Sequence, residues 1–366
     1  MKIAQVAPLF ESVPPKGYGG TERVVSYLTE ELVAMGHDVT LFATADSVTS
    51  ATLVPITTKS LRADAGSPVA LACHTTQLGR LGKCAARFDV IHFHTDYLHF
   101  PMARQLATPH VTTLHGRLDL PELAPLYKQF NDIPLVSISD EQRRPLPWAN
   151  WYATVHHGLP ADLYDFGPAP EDYCVFLGRI AREKRPDRAI DIAVRAGMPI
   201  VIAAKIDPAD AAYFETCIRP LLTHPLVRFI GEVGEADKRR LLANARALLF
   251  PIDWPEPFGL VMIESFACGT PVIAYRHGSV PEVVTDGLTG FVVDGQEQAL
   301  DALSRIGSID RRRCREVFEA RFSARQMALR YVQLYEALRS SQGGARRAST
   351  REGGFPPKFK QEDHHG

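Results

Sequence analysis

The stretch WPEPFGLVMIESFACGTPVIA, residues 254–274, places two glutamates in an otherwise apolar segment. Proline stands on both sides of Glu256. Because a residue before proline is pushed toward extended geometry, Glu256 is predicted on a rigid loop. From about Phe258 the apolar spacing predicts a largely buried helix that Gly269 ends, and PVIA then has the composition of a short buried strand. A helix followed by a buried strand is one repeat of an α/β sheet.

Both glutamates of this stretch need partners, because an unpaired buried carboxylate is costly. Gly259 lies at the predicted helix start, where free backbone N–H groups and the positive end of the helix dipole suit a phosphate. Glu264 lies about a turn and a half further on, and its two acceptor oxygens suit vicinal hydroxyls such as those of a ribose. The alternative is structural: Glu256 pairs with a nearby arginine, and Glu264 pairs across helices.

Length and composition indicate a soluble globular chain of more than one domain. With 366 residues, 45% of them hydrophobic and 23% charged, two domains are expected. The net charge of −1 argues against a nucleic-acid binder that depends on bulk charge. The six cysteines are scattered, without ligand spacing, which favours a reducing, cytoplasmic setting. We find neither a signal peptide nor a transmembrane run, which leaves peripheral membrane contact open.

Short apolar strands alternate with helical patterns along the whole chain. Residues 21–35 are predicted as the first helix, with its apolar side chains on one face and Gly36 as its end. Strands are predicted at 2–7, 38–43, 89–94, 111–114, 135–139, 153–155, 173–177, 199–204, 227–230, 247–251, 271–274 and 291–293. Such alternation predicts parallel sheets covered on both faces, and its restart predicts two doubly wound domains.

The domain boundaries follow from this rhythm. Residues 1–160 are predicted as the first domain, 161–172 as a Pro- and Gly-containing linker, and 173–320 as the second domain. A helix at about 324–339 follows, and the Gly-, Pro- and charge-rich segment 341–366 is predicted to be disordered. Because open parallel sheets bind ligands at the carboxyl ends of their strands, the two domains should form one cleft between them.

Two further loops have the chemistry of a phosphate site. KGYGGTERVV, residues 16–25, brings Gly19 and Gly20 to the start of the first helix, where the backbone can approach a ligand closely. GRIAREK, residues 178–184, places Arg179 and Lys184 after the first strand of the second domain, and paired cations there suit a diphosphate. The alternatives are a flexible turn with a helix cap, and a solvated basic turn.

Histidines mark the cleft side of the first domain. His115 ends a predicted strand, so it should face the cleft and could bond a sugar hydroxyl, although a lone histidine is more often structural. His92, His94, Asp96 and His99 also cluster, but no second set of ligands accompanies them. A metal site is therefore not predicted.

Taken together and in this order, the motifs resemble family 4 of the glycosyltransferases, retaining enzymes of the GT-B fold. The matching pieces are GYGGTERVV, TTLHG, GRIAREKRPD, the E-x7-E of EPFGLVMIE, GTPVIAYRHGSVPEVVTDGLTGFVV and FSARQMALRYVQLYEAL. The resemblance covers most of residues 1–340, is most specific in 173–293 and is looser in 45–110. It implies an α/β chain of two Rossmann-like domains, with the helix near 324–339 crossing back onto the first. One departure is HHGLP at 156–160, where the family often has Asn-Gly-Ile/Val-Asp.

The resemblance also implies roles for single residues. Arg179 and Lys184 would bind the donor diphosphate and stabilise the leaving group, and Glu256 would contact the donor sugar. The remaining implied donor contacts are His115 near the anomeric centre, the glycines Gly19 and Gly20 on the phosphate, the backbone amides of Phe258, Gly259 and Leu260, and Glu264 on the ribose.

The expected activity is transfer of a hexose from a nucleoside-diphosphate sugar, a UDP- or GDP-sugar in the first place, to an acceptor that the sequence does not identify. No cofactor or metal is expected, since no Asp-x-Asp string is present. Three alternatives stay open. They are a glycoside hydrolase that uses the two glutamates, a GT-B sugar phosphorylase, and a nucleotide-sugar-binding protein without catalysis.

Overall fold

The computed structural model describes residues 1–17, 19–62 and 68–349. Within these residues, thirteen strands form two separate, wholly parallel sheets. The strands of the first sheet are β1 (Lys2–Val6), β2 (Asp38–Ala43), β3 (Thr52–Pro55), β4 (Val90–Phe93), β5 (His110–Thr113), β6 (Leu135–Ser137) and β7 (Trp151–Thr154). Those of the second are β8 (Cys174–Arg179), β9 (Ile200–Lys205), β10 (Val227–Gly231), β11 (Ala247–Phe250), β12 (Val272–Tyr275) and β13 (Gly290–Val293).

The two sheets share one topology. The first runs β3-β2-β1-β4-β5-β6-β7 and the second β10-β9-β8-β11-β12-β13, so each chain half starts in the middle of its sheet and winds outward in both directions. This confirms the predicted α/β class with two doubly wound units. The sequence patterns missed β3, because its residues are only half-buried at the sheet edge and lack a clear alternation.

Helices cover the faces of both sheets. In the first half they are α1 (Gly20–Ala34), α2 (Pro68–Cys84), α3 (Phe100–Ala103) and α4 (Ala124–Gln129). In the second half they are α5 (Pro186–Arg195), α6 (Ala211–Tyr213), α7 (Glu235–Asn244), α8 (Leu260–Ala267), α9 (Val280–Val283), α10 (Gln296–Ser304), α11 (Arg311–Arg321) and α12 (Ala324–Ser349). No described helix is both long and apolar enough to cross a membrane.

The helix α8, which lies within residues 254–274, is short because a glycine limits it at each end. Gly259 precedes it with φ +76°, a conformation that favours glycine, and Gly269 follows it with φ +79°. Between them nearly every side chain is buried, including Met262, Ile263 and Phe266 in the core of the second sheet. The start of the helix is thereby fixed relative to β11, the strand that precedes it.

The chain crosses between the two units twice, and the crossings are bonded to each other. Leu159 N–H donates to the Phe322 carbonyl at 2.9 Å, and Ala324 N–H donates to the Leu159 carbonyl at 2.7 Å. A Cβ on Gly158 would lie 2.4 Å from the carbonyl oxygen of Ser323. The glycine of HHGLP is therefore required by the close approach of these two segments.

After the second crossing, α12 packs on the first sheet rather than on the second. Its buried side chains, Met327, Tyr331, Leu334, Tyr335 and Leu338, lie in one cluster with residues of β1 and α1. The helix runs to Ser349, ten residues beyond the predicted end at Arg339. The rest of the segment predicted to be disordered lies outside the described residues.

Segment 161–172 is attached to the second unit rather than suspended as a linker. Tyr164 is 2% exposed within the core of that unit. Gly167 N–H donates to the Cys268 carbonyl at 3.0 Å, and Arg311 Nε donates to the Gly167 carbonyl at 2.6 Å. Only the short crossing at 157–160 is left to connect the two units on this side.

Candidate functional site

A cleft of about 790 Å³ lies between the two units, where the carboxyl ends of β8, β9 and β11 face the loops of the first sheet. Residues of both units line it, so neither unit forms it alone. All ten residues singled out from the sequence lie on its walls. They are His115, Arg179, Lys184, Glu256, Gly19, Gly20, Phe258, Gly259, Leu260 and Glu264.

The loop that carries Glu256 is braced from behind by a second turn. Ser279 N–H donates to the Glu256 carbonyl at 2.9 Å, and Ser279 Oγ donates to the Phe258 carbonyl at 2.8 Å. Gly278, at φ +54°, lies so close that a Cβ there would be 2.3 Å from the backbone of Glu256. The HGS turn after β12 therefore sets the position of the Glu256 loop.

Glu256 pairs with a lysine, and not with an arginine as the structural alternative supposed. Its Oε2 accepts from Lys184 Nζ and, at 3.0 Å, from Trp254 Nε1. The lysine ammonium also lies 4.7 Å from the centroid of the Trp254 ring. Both hydrogen bonds go to one carboxylate oxygen, so Oε1 can accept a hydroxyl of a ligand. The site thus holds a fixed cation and a fixed acceptor side by side.

Arg179, at the carboxyl end of β8, is surrounded by carboxylates. Its guanidinium lies 3.0 Å from Glu183, 3.5 Å from Asp207 and 3.6 Å from Asp210. Hydrogen bonding to Lys205, together with the charge of Arg179, lowers the pKa of Asp207, so this group is ionised at neutral pH. The guanidinium is therefore oriented before any ligand arrives, at the edge of the cleft.

The start of α8 faces the glycine loop of the other unit. The backbone N–H groups at Leu260 and its neighbours begin the helix, where free donors and the helix dipole favour an anion. A Cβ on Gly20 would lie 3.7 Å from Leu260 Cδ1, so α1 and α8 begin almost in contact. Two helix starts thus converge on the middle of the cleft.

Glu264 belongs to an ionic network that the sequence analysis missed. Its Oε1 lies 2.7 Å from Lys238 Nζ on α7, and Lys238 lies 3.0 Å from Glu235. Burial alone would lower the pKa of Lys238, but the charges of Glu264 and Glu235 outweigh it and raise that pKa above its ordinary value. The pairing across helices supposed as an alternative is therefore present, on the wall of the cleft.

The same network joins the two units. Arg23 on α1 contacts Glu235 at 3.0 Å, and its second nitrogen donates to the Gly17 carbonyl at 2.9 Å. Tyr164 OH donates to the other oxygen of Glu235 at 2.9 Å. Because α7 carries five charged residues in ten, its sequence resembles an ordinary solvated helix face, and no local pattern distinguishes Glu235 and Lys238.

On the opposite wall the cleft is lined by uncharged histidines. The rings of His115 and His157 stack with centroids 5.2 Å apart, and His157 also contacts the Phe258 ring at 5.0 Å. Burial lowers the pKa of His115 to about 3 and that of His157 well below its ordinary value. Within the described part of the chain, Nδ1 of each ring is buried and lacks a hydrogen-bond partner. His157 was noted only as a departure from the family pattern.

Behind His115, the histidine cluster considered for a metal is occupied by hydrogen bonds. His92 contacts Tyr335 OH and Thr113 Oγ1, each at 2.7 Å. His99 contacts Thr112 Oγ1 at 2.6 Å. Among the described residues, no group of three or more His, Cys, Asp or Glu side chains is arranged to hold a metal ion. His92 instead connects the first sheet to α12, and His99 bonds within the first unit.

The geometry suits a ligand that is anionic in its middle and hydroxylated at both ends. Lys184, Arg179 and the start of α8 provide positive charge on the wall formed by the second unit. Glu256 and Glu264 provide carboxylate acceptors on either side of the helix start, eight residues apart in sequence. The histidine wall provides neutral ring nitrogens opposite. A sugar, a diphosphate and a ribose in line would meet each of these in turn.

Two family models match the chain in tandem. The one described as Glycosyltransferase Family 4 matches residues 18–175, and the one described as Glycosyl transferases group 1 matches residues 167–316. Among curated relatives, the D-inositol 3-phosphate glycosyltransferase of Mycobacterium tuberculosis is 31% identical over 190 residues, and that of Mycobacterium bovis gives the same values. The match covers 46% of this chain and 39% of the relative, well under half of its length.

Solved structures match over nearly the whole chain. A glycosyltransferase of avilamycin A biosynthesis has a TM-score of 0.74 at 24% identity, covering 93% of this chain and 98% of that one. Sucrose-phosphate synthase from Thermosynechococcus elongatus has a TM-score of 0.75 at 18% identity, covering 93% and 99%. An Anabaena protein in complex with UDP and glucose has a TM-score of 0.71 at 16% identity, covering 92% and 100%. At these identities the likeness shows the fold, and the predicted GT-B class is confirmed.

Proposed function

Because the chain belongs to the glycosyltransferases of family 4, we propose that it moves a hexose from a nucleoside-diphosphate sugar to an acceptor hydroxyl, with retention of the anomeric configuration. One observation carries the proposal. Two cations, Lys184 and Arg179, line the same cleft as the start of α8 and the two carboxylates Glu256 and Glu264. A ligand with this order of chemical groups is a nucleoside-diphosphate sugar.

In the proposed complex the diphosphate lies at the start of α8, beside Lys184 and Arg179. Glu256 accepts hydroxyl hydrogens of the hexose, and Glu264 accepts those of the ribose. Lys184 is already held by Glu256 and the Trp254 ring, so it can contact a phosphate oxygen without losing its orientation. Such preorganised charge is most effective when negative charge develops on the leaving group.

The proposed reaction exchanges one bond at the anomeric carbon for another. The bond from C1 to the diphosphate oxygen breaks, and the electron pair leaves with the nucleoside diphosphate. The acceptor oxygen bonds to C1 on the same face, and its proton passes to the departing phosphate. No side chain is then needed as a dedicated base, which fits a wall of neutral histidines whose pKa burial lowers.

We also propose that the reaction needs no metal. The charge that a divalent cation would neutralise is met here by Arg179, Lys184 and the backbone N–H groups at the start of α8. Unchanged turnover in excess chelator is the expected result. A chelator-sensitive rate that Mg²⁺ or Mn²⁺ restores would contradict this part of the proposal.

For the acceptor, the names of two matched proteins suggest a phosphorylated small molecule. The curated relatives are named as glycosyltransferases of D-inositol 3-phosphate, and one structural neighbour is a sucrose-phosphate synthase. On the first unit, Lys16, Arg62 and Arg117 line the same cleft. We therefore propose an acceptor that carries an anionic group. Transfer to inositol phosphate can be compared with transfer to inositol, and transfer to fructose 6-phosphate with transfer to fructose. We expect the phosphorylated acceptor of each pair to be preferred.

The proposed compartment is the cytoplasm. All six cysteines are free thiols. Burial raises the pKa of Cys174, Cys268 and Cys314 to about 12, so these three are unreactive core residues. Free, buried thiols are typical of proteins in a reducing environment.

The experiment that tests the function has two steps. Thermal shifts with UDP-, GDP-, ADP- and dTDP-glucose identify the donor base, because a ligand that binds the folded state raises its stability. Release of the nucleoside diphosphate is then measured with the best donor, for wild type and Glu256→Gln, with the exposed Glu297→Gln as control. We expect release that only Glu256→Gln abolishes. Turnover with free phosphate and no nucleotide would indicate a phosphorylase, and binding without release a non-catalytic protein.

A further inference from the structure

We propose that Gln5, acting through His94, fixes the tautomer of His115 and presents its Nδ1 to the cleft as a hydrogen-bond acceptor. Gln5 and His94 are then positioning residues, since neither is among the residues that line the cleft. The assignment of the hydroxyl that His115 accepts, a hydroxyl of the donor sugar, rests on the proposed function. The tautomer itself does not.

The connection is continuous from the cleft into the sheet. His115 Nε2 lies 2.9 Å from His94 Nδ1, and His94 Nε2 lies 2.8 Å from Gln5 Oε1. On its other side Gln5 Nε2 lies 3.1 Å from Tyr335 OH. Gln5 is fully buried and His94 is 2% exposed, so water does not compete for these groups. Gln5 and His94 therefore each have one hydrogen-bond partner on either side.

The amide of Gln5 decides the direction of every hydrogen bond in the line. The amide nitrogen lies 3.1 Å from Tyr335 OH, a distance typical of N–H···O bonds, and the amide oxygen lies 2.8 Å from His94 Nε2. In this orientation the nitrogen donates to Tyr335 and the oxygen accepts from His94. The Tyr335 hydroxyl can in turn donate to His92 Nδ1, 2.7 Å away. The phenol is thus both an acceptor and a donor.

From this amide the protons of the two imidazoles follow. A carbonyl oxygen can only accept, so His94 Nε2 carries the hydrogen and His94 Nδ1 is bare. The bare Nδ1 of His94 then accepts from His115 Nε2–H, and Nδ1 of His115 is bare in turn. Both rings are neutral, because burial holds the pKa of His94 and of His115 well below neutrality.

The bare nitrogen has no partner in the described part of the protein, although it is buried. A neutral acceptor of this kind is left unsatisfied until a ligand donates to it, and an unsatisfied buried group is costly. A hydroxyl hydrogen supplied by a sugar in the cleft would satisfy it. The relay therefore specifies an acceptor at this point of the wall, where the opposite tautomer would specify a donor.

The tautomers can be measured directly by long-range ¹H–¹⁵N correlation spectra of the protein labelled in its histidines. His115→Gln and His94→Gln identify the signals of the two rings by their loss. In the wild type we expect both rings to show a non-protonated Nδ1 and a protonated Nε2. In Gln5→Met, which removes the amide at similar volume, both rings should change to mixed tautomers. His99, which bonds Thr112 and not Gln5, is the internal control and should not change.

A second readout is turnover with the donor identified by the thermal-shift panel. Gln5→Met should lower kcat/KM by about two- to tenfold, the effect of one neutral hydrogen bond. Gln5→Glu should restore both the tautomers and the rate, because a buried, protonated carboxyl offers the same acceptor to His94 and the same donor to Tyr335.

A protonated Nδ1 of His115 in the wild type would overturn the proposal, since it would mean that the amide of Gln5 is reversed. Unchanged His94 and His115 signals in Gln5→Met would overturn it as well. If Gln5→Met does not fold, Gln5→Leu removes the same amide, and unchanged His94 and His115 signals in that variant would overturn the proposal in the same way. The spectra need no substrate, so a protein that fails to transfer sugar leaves this test intact.

Discussion

The two walls of the cleft are built from opposite chemistry. The wall from the second unit is ionic, with Lys184 against Glu256 and Lys238 against Glu264 as buried or half-buried pairs. The wall from the first unit includes the glycine loop and the stacked imidazoles of His115 and His157, which carry no charge. Both lie at the carboxyl edge of a sheet with the same strand order. The shared topology therefore sets where a site forms, and the side chains set what it binds.

The difference between the walls matches the parts of the proposed donor. A diphosphate is charged and needs cations that are already oriented, which the ionic wall supplies. A hexose is neutral and needs hydrogen-bond partners of defined direction, which the imidazole wall supplies. Variants that affect one wall and not the other can therefore test whether the two walls have different roles.

The largest expected effect is acid instability that originates in the imidazole wall and the cluster behind it. Burial lowers the pKa of His92, His94, His99, His115 and His157, that of His115 to about 3. The unfolded chain protonates these rings near pH 6.5, so below that pH it binds more protons than the folded state. The free energy of unfolding should then fall by about 1.4 kcal/mol per pH unit for each histidine.

Urea unfolding at pH 8, 7, 6 and 5 measures this slope. The stability should be constant above about pH 7 and fall steeply below pH 6.5. In His94→Gln the free energy of unfolding should depend less steeply on pH, by about 1.4 kcal/mol per pH unit. The exposed His277→Gln is the control and should have the pH dependence of the wild type. A stability that is flat from pH 7 to pH 5 would contradict the neutral, buried state of these rings.

The next largest effect belongs to the ionic wall. Lys184→Ala removes the cation beside the proposed leaving group and leaves Glu256 without its partner. Release of nucleoside diphosphate should slow by a factor on the order of 10²–10³. Arg182→Ala, two residues away and exposed, is the matched control and should keep the wild-type rate. Equal rates for the two variants would remove Lys184 from the mechanism.

A smaller effect is expected at the nucleotide end of the same wall. Glu264→Gln keeps the shape of the side chain and removes its charge, so the bonds to Lys238 and to a ribose become weaker. The donor Kd should rise by about ten- to hundredfold, the size of a hydrogen bond to a charged group, with little change in kcat. Calorimetric titration measures it, with Glu297→Gln as control. A loss confined to kcat would move Glu264 from binding to chemistry.

The smallest effect is predicted for the neutral wall. His115→Ala removes one uncharged hydrogen bond to the donor sugar, and kcat/KM should fall by about two- to tenfold. Steady-state kinetics with the same donor measures it, with His277→Ala as control. A loss of a thousandfold or more would show that His115 carries charge or moves a proton, and the contrast between the walls would fail.

Much of the fold could be predicted because short, local sequence patterns determine its strands and helix ends. Short apolar runs, glycine stops and the proline-flanked Glu256 predicted the strands and the start of α8 to within a few residues. The ten candidate residues all lie on one cleft because the carboxyl ends of parallel strands meet there. Their individual roles stay predictions. The edge strand β3 was missed because a half-exposed strand of four residues carries almost no pattern.

The missed parts of the site depend on contacts between distant segments. Arg23 and Glu235 are 212 residues apart, and Gln5 and Tyr335 are 330 apart. Short-range sequence patterns cannot predict contacts between residues so far apart. Lys238 lies on a helix rich in charged residues, where its sequence context resembles that of a solvated face. The signal at His157 was visible, since it departs from the family pattern, but only the structure shows its ring stacked on His115.

A crystal structure of the protein with bound UDP would locate the diphosphate and the ribose in the cleft. We expect the diphosphate at the start of α8, within hydrogen-bond distance of Lys184 and Arg179, with the ribose hydroxyls on Glu264 and the space beside Glu256 and His115 left for the hexose. A diphosphate held by the first unit alone, or a ribose that lies on Glu256, would contradict it.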